Sequence, residues 1–172
     1  MRISHSVAFD VTLSLPHASA LEFVRDARQS LSKATFVEDL TARAEAQGLH
    51  IGACIPVNAA LFGQRKLRFE SVLRPTPNGA MLQALELNHD RPGWAQVSGR
   101  ADVRSHPAGA LARYRFDVTI HLKLPAADKW GTHALVKMIR FTAKRMLETI
   151  SSEFPVAVQQ AAREVEKVHH EA

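Results

Sequence analysis

The chain has a single cysteine, Cys54, in 172 residues. One thiol excludes an internal disulfide and suits a reducing compartment. It lies in the apolar run LHIGACIPV, where a buried, unreactive thiol is expected. No stretch of about 18 apolar residues exists, which excludes a membrane-spanning helix. The N-terminal MRISHSVAFDVTLSLP lacks a continuous apolar core, so no secretory leader is expected and the protein is placed in the cytoplasm. Aromatic residues make up only 6%, too few for the stacking surface of a single-strand nucleic-acid binder. The nine histidines show no HExxH or paired ligand spacing, and no metal site is expected. No GxSxG, Walker or dinucleotide fingerprint appears, so no cofactor is predicted. His89-Asp90 in NHDRPGW is the best acid–base candidate, but adjacent side chains seldom face each other. A solvated loop is the expectation there, a fraying tail for His169-His170, and no catalytic residue is assigned.

What is present describes a globular domain. Hydrophobic residues are 46% and charged residues 23%, the balance of a chain with a substantial core. The length suits one domain over residues 1–172. The formal charge of +5 is modest, and acids are spread along the chain.

The clearest pattern is ARYRFDVTIHLKL, Ala112 to Leu124, which alternates apolar and polar without error. Tyr114, Phe116, Val118 and Ile120 share one face; Arg113, Arg115, Asp117, Thr119 and His121 share the other, solvated one. Ile3 to Leu15 alternates likewise and ends at Pro16. PHASALEFVRDARQSL then takes helical spacing, as one helix or two short ones. TFVEDLTARAEAQG fits strand or helix, and LHIGACIPV reads as a strand closed by Pro56. Asn78-Gly79 predicts a hairpin turn, since both residues accept positive φ. WAQVSGRADVRSHPAG predicts a second hairpin, with Val97, Gly99 and Ala101 on its apolar face and Gly99 marking a bend.

The rest is helical. Leu135, Met138, Ile139, Thr142, Ala143, Met146, Ile150 and Phe154 form one stripe, predicting a helix over about 131–154. Pro155 predicts a kink or end, with a helical extension over about 156–168. At about 1.5 Å per residue this helix measures roughly 36 Å, and at about 3.3 Å per residue the 112–124 strand measures roughly 43 Å. The helix can therefore lie along the sheet. Strands this long coil, and a rod about 10 Å wide cannot fill the hollow of a strongly curved sheet. Either bulky side chains plug the gap or a cavity remains.

This order resembles the helix-grip superfamily (START-like, Bet v 1-like, SRPBCC). Its members place a strand, two short helices and a curved antiparallel sheet of six to seven strands around a long C-terminal helix. The likeness covers roughly residues 2–165. It is carried by LPHASALEFVRDARQSL and by WAQVSGRADV through ARYRFDVTIHLKLP into FTAKRMLETISSEFPVAV. That pairing is similar to the bacterial branch that holds a carbon monoxide dehydrogenase subunit and the polyketide cyclase/lipid-transport-like proteins. FVRDARQSLS, LFGQRKL and KWGTHALVKMIRFTA resemble an uncharacterised bacterial branch. The resemblance implies an α+β helix-grip fold. It also implies a pocket for a hydrophobic small molecule, lipid-, quinone- or polyketide-like, without implying catalysis.

On that reading the pocket residues are Val97, Gly99, Ala101, Tyr114, Phe116, Val118 and Ile120 from the sheet, with Met138, Thr142, Met146 and Ile150 as lid. Gly99 and Ala101 leave room, methionines adapt to irregular ligands, and Tyr114 and Thr142 offer hydroxyls to a ligand's polar end. The alternative is that the stripe is closed core. A cyclase- or hydrolase-like enzyme using the pocket is the second functional reading. A third uses Lys129, Lys137, Arg140, Lys144 and Arg145, with Trp130 nearby, as a basic face for anionic membrane or, less well, nucleic acid.

Overall fold

A computed structural model describes residues 1–59, 63–87, 90, 92–123 and 132–171. The opening alternation forms β1, Arg2–Leu13, burying Val7, Val11 and Leu13. Pro16 caps α1, His17–Arg25, which turns Ala20, Phe23 and Val24 inward. The Asp26 carboxylate then accepts from the backbone N–H groups of Arg28 and Gln29 at 3.0 and 3.2 Å, starting α2, Ala27–Ser30. Two short helices therefore follow the first strand.

The ambiguous segment is a strand, β2, Glu38–Glu45. After it come β3, Gly48–Ala59; β4, Gly63–Thr76; β5, Gly79–Ala84; β6, Gly93–His106; and β7, Gly109–Leu122. One helix, α3, Thr132–Glu171, ends the described chain. All strand pairs are antiparallel, in the order β1-β7-β6-β5-β4-β3-β2. The two short helices thus carry the chain from one sheet edge to the other.

The helix touches both β1 and β3. Those strands are five places apart in the sheet, roughly 24 Å at about 4.8 Å per strand, against a helix about 10 Å wide. The helix therefore lies across one face of the sheet and bridges strands near its two edges. This is the α+β helix-grip architecture.

Several local expectations are corrected. The β4–β5 turn is Pro77-Asn78, between paired Thr76 and Gly79, and neither Asn78 nor Gly79 has positive φ. Proline presets the first turn position, so left-handed residues are not needed there. Gly48 and Gly109 do adopt positive φ, +138° and +126°, each directly after a two-residue turn. Pro56 does not close β3; the strand runs on to Ala59. Beyond Cys54, β2 no longer pairs with β3, and a proline is tolerated beside an open edge. Cys54 itself is half-buried rather than buried.

The long helix departs most. It is continuous for 40 residues, about 60 Å at 1.5 Å per residue, and Pro155 lies inside it. Proline removes the bond to the Ser151 carbonyl, but Phe154, Ala157 and Val158 on either side are buried. Packing holds the helix through the break. Its buried stripe is Ala143, Leu147, Ile150, Phe154, Ala157, Val158, Ala161 and Ala162. Leu147, not Met146, occupies the inward position, and Met146 sits half-buried at the margin.

The core has two parts. Phe154, Val158, Ala161 and Ala162 join α1 and the Val11, Leu13, Ala112 and Tyr114 end of the sheet. Ala143, Leu147 and Ile150 join Ile51, Ile55, Leu67, Phe69 and Ile120 at the other.

Candidate functional site

Between the two core clusters lies an apolar cavity of about 90 Å³. Its sheet wall includes Val97 and Ala101 of β6 and Tyr114, Phe116 and Val118 of β7. Val97 is held from behind. Where β5 stops, the fully buried Ser71 of β4 donates its hydroxyl to the Val97 carbonyl at 2.7 Å. The helix supplies Ile150, Phe154 and Val158; α1 adds Val24, α2 adds Ala27, and Leu31 follows directly after α2. Arg25 ties α1 down, donating to the carbonyls of Gly79 and Thr76 at 3.0 and 2.6 Å.

An aromatic cluster fills part of the hollow. Phe9 stacks on Tyr114 at 5.0 Å between centroids, and Phe154 meets Phe9, Phe36 and Phe116 at 5.2, 5.3 and 4.8 Å. These rings explain why the space is narrow. A dry cavity of about 150 Å³ holds a benzene-sized guest, so 90 Å³ accepts only a slim apolar group without rearrangement.

The polar residues of the lining are Tyr114, Ser30 and Arg100, whose guanidinium pairs with Asp102 at 2.8 Å. Tyr114 is 4% exposed, and its hydroxyl has no hydrogen-bond partner among the described residues. Burial pushes its pKa well above the ordinary value of 10.0, so the phenol is neutral at physiological pH. Ser30, also lining the cavity, donates to the Asp26 carbonyl at 2.9 Å. Among the described residues the lining holds no carboxylate, imidazole or thiol. Nor do three or more His, Cys, Asp or Glu gather closely enough for a metal ion among them.

A second, wider groove of about 420 Å³ runs outside, between α3 and the open end of β3. Thr142, Met146, Thr149 and Arg145 form its helix side, and Thr35, Pro56 and Val57 its opposite side. Phe36, Ile55 and Ile150 line both spaces, so cavity and groove adjoin at these side chains. The groove falls within the range of about 300–1,000 Å³ that suits small-molecule ligands; the inner cavity alone does not.

The structure divides the eleven pocket residues expected from sequence. Val97, Ala101, Tyr114, Phe116, Val118 and Ile150 line the inner cavity. Thr142 and Met146 line the outer groove instead. Three belong to neither lining. Gly99 leaves no room: a Cβ there would sit 2.3 Å from Cδ1 of Phe116, whose ring already fills the space. Ile120 is fully buried in solid core, and Met138 is half-buried nearer the helix start. Sequence reasoning passed over Phe36 and the α1–α2 residues, which precede the sheet and carry no pattern tied to the pocket.

Of the basic residues, Lys137, Arg140, Lys144 and Arg145 are exposed on α3. Lys129, Trp130 and His89 lie outside the described residues. His121 is not simply solvated; it stacks on Trp94 at 4.8 Å and hydrogen-bonds Gln96 at 2.9 Å. Among the described residues no helix is long and apolar enough to cross a membrane.

Known structures share the architecture at low identity. TTHA0849 of Thermus thermophilus superposes with a TM-score of 0.56 at 15% identity, over 94% of this chain and 99% of its own. The Zhui aromatase/cyclase of a Streptomyces species gives 0.53 at 16% identity, over 94% of each chain. The di-domain ARO/CYC BexL gives 0.52 at 16% identity over 92% of this chain, which spans half of BexL's length. These likenesses establish the fold. No curated protein matches the sequence. A family model does match, over residues 8–152, and the chain belongs to that family, described as a protein of unknown function (DUF3809).

Proposed function

We propose that the protein binds a hydrophobic small molecule between the sheet and α3, without catalysing a reaction on it. The observation that carries this reading is the apolar cavity lying beside the outer groove, with Phe36, Ile55 and Ile150 in the walls of both. A ligand with a slim apolar end and a bulkier or polar remainder fits the two volumes: the end in the cavity beside Tyr114, the remainder in the groove beside Thr142, Thr149 and Arg145. Lipid-, quinone- and polyketide-like molecules all have that shape. The neutral Tyr114 phenol can donate to a carbonyl or hydroxyl on the ligand. A cytoplasmic carrier of this kind also suits the narrower sequence likeness to polyketide cyclase/lipid-transport-like proteins and the carbon monoxide dehydrogenase branch.

The second reading is a cyclase-like enzyme, favoured by the fold shared with the Zhui and BexL aromatase/cyclases. Against it stands the inner cavity, whose phenol burial keeps protonated, able to donate a proton but not to take one; the Glu153 carboxylate on the groove already accepts from the Thr35 hydroxyl at 3.1 Å.

Native mass spectrometry of protein purified from its own host, with Nile red titration of the same material, tests the reading. A co-purifying adduct or saturable dye binding, weakened at least tenfold by Val97→Phe with the fold intact, is expected. Repeatedly empty protein whose dye response ignores Val97→Phe would mean that the interior is merely core.

A further inference from the structure

From His133 to Leu147, α3 carries no acidic residue, and its outward side exposes Lys137, Arg140, Phe141, Lys144 and Arg145. Phe141 is 61% exposed, unusual for a phenyl ring on an otherwise polar helix face. Helical geometry places Lys137 (i−4), Lys144 (i+3) and Arg145 (i+4) around it. The Arg145 guanidinium lies 5.7 Å from the ring centroid. Glu148, 3.9 Å from Lys144, marks where the acid-free stretch ends. The ring is not a stray core residue, because Ala143, Leu147 and Ile150 bury the opposite side of the same turns.

A surface that takes both the ring and the cations must be apolar a few ångströms below a layer of negative charge. The headgroup–acyl boundary of an anionic bilayer meets both demands. A nucleic-acid backbone would satisfy the cations and leave Phe141 without a role. Phe141 and Arg145 also line the outer groove, so the same contact would bring the groove's rim to the lipid.

We propose that the outward face of α3 from Lys137 to Arg145 docks on anionic membrane, with Phe141 inserted at the headgroup–acyl boundary. The contact uses no residue of the inner cavity; Phe141 and Arg145 also border the groove of the ligand reading, so the cavity variant Val97→Phe is the one that separates the two.

Co-sedimentation of the full chain with phosphatidylcholine vesicles, with and without phosphatidylserine, tests it. Binding is expected only to the phosphatidylserine vesicles and falls with salt, as the Debye length shrinks from about 10 Å at 0.1 M to about 3 Å at 1 M. Phe141→Ala is expected to lower partitioning roughly tenfold. The double variant Lys144→Gln/Arg145→Gln is expected to lower it about 25-fold, roughly fivefold per cation. Both sites are exposed, so the melting temperature should stay put, and Arg104→Gln on β6 should change nothing. The proposal is overturned by equal binding to neutral vesicles, by no vesicle binding, or by indifference to Phe141→Ala. Duplex DNA binding that outcompetes vesicles and ignores Phe141→Ala overturns it in favour of a nucleic-acid surface. Val97→Phe should leave vesicle binding unchanged, so a failed cavity and a failed surface give different results.

Discussion

Tyr114 is the only tyrosine in the chain, which makes its ionisation directly readable. In the folded protein burial raises its pKa; in the unfolded chain it reverts to about 10.0. Above pH 10 the unfolded state therefore loses a proton that the folded state keeps. Stability is fully present below the unfolded value and falls as pH rises toward the folded one, by about 1.4 kcal/mol per pH unit. Alkaline titration followed by near-UV phenolate absorbance should show no tyrosinate while the protein is folded. Tyrosinate should then appear in one step, coincident with loss of far-UV circular dichroism. Tyr114→Phe should remove this contribution to the alkaline slope. At neutral pH it should also stabilise the empty protein by about 1 kcal/mol, because it deletes a buried hydroxyl without a partner among the described residues. For a chain of this size that raises Tm by roughly 2–4 °C. The same variant should bind its ligand less tightly. Smooth titration near pH 10 in folded protein, or a clear loss of stability in Tyr114→Phe, would refute the reasoning by showing the phenol to be wet or already bonded.

Two further substitutions probe the packing. Gly99→Ala places a methyl group 2.3 Å from Phe116 and 2.6 Å from the Arg115 carbonyl oxygen. The backbone oxygen cannot step aside, so a loss of about 1–3 kcal/mol in urea unfolding is expected, with Nile red binding reduced as Phe116 is pushed into the cavity. Leu147→Ala should cost about 3 kcal/mol and Met146→Ala under about 1.5 kcal/mol, since Leu147 is 2% exposed and Met146 lies at the groove margin. Equal losses in that pair would mean that the helix is turned differently.

The alternation of Ala112–Leu124, the turn residues around Asn78 and Pro107, and the helical spacing after Leu135 were enough to specify antiparallel hairpins followed by a helix long enough to lie along them; the grip itself came from the resemblance. Periods of two and of about 3.6 residues are local properties, legible wherever one face of an element is apolar. What packs against that face is not local. Met146 and Leu147 are both apolar and adjacent, and only docking of α3 on the sheet chose Leu147. Gly99 looks like space along its own strand; its pairing with Phe116 across the sheet shows the space taken. Pro155 breaks a hydrogen bond in any helix, yet burial of Phe154 and Val158 carried this helix past it. The sequence alone determined the kinds of element and their order, except over 35–48, where strand and helix stayed open until β2 paired with β3. Tertiary structure alone decided the cavity's size, the wall it shares with the groove and the burial of the Tyr114 hydroxyl, because each depends on side chains brought together from distant strands and helices.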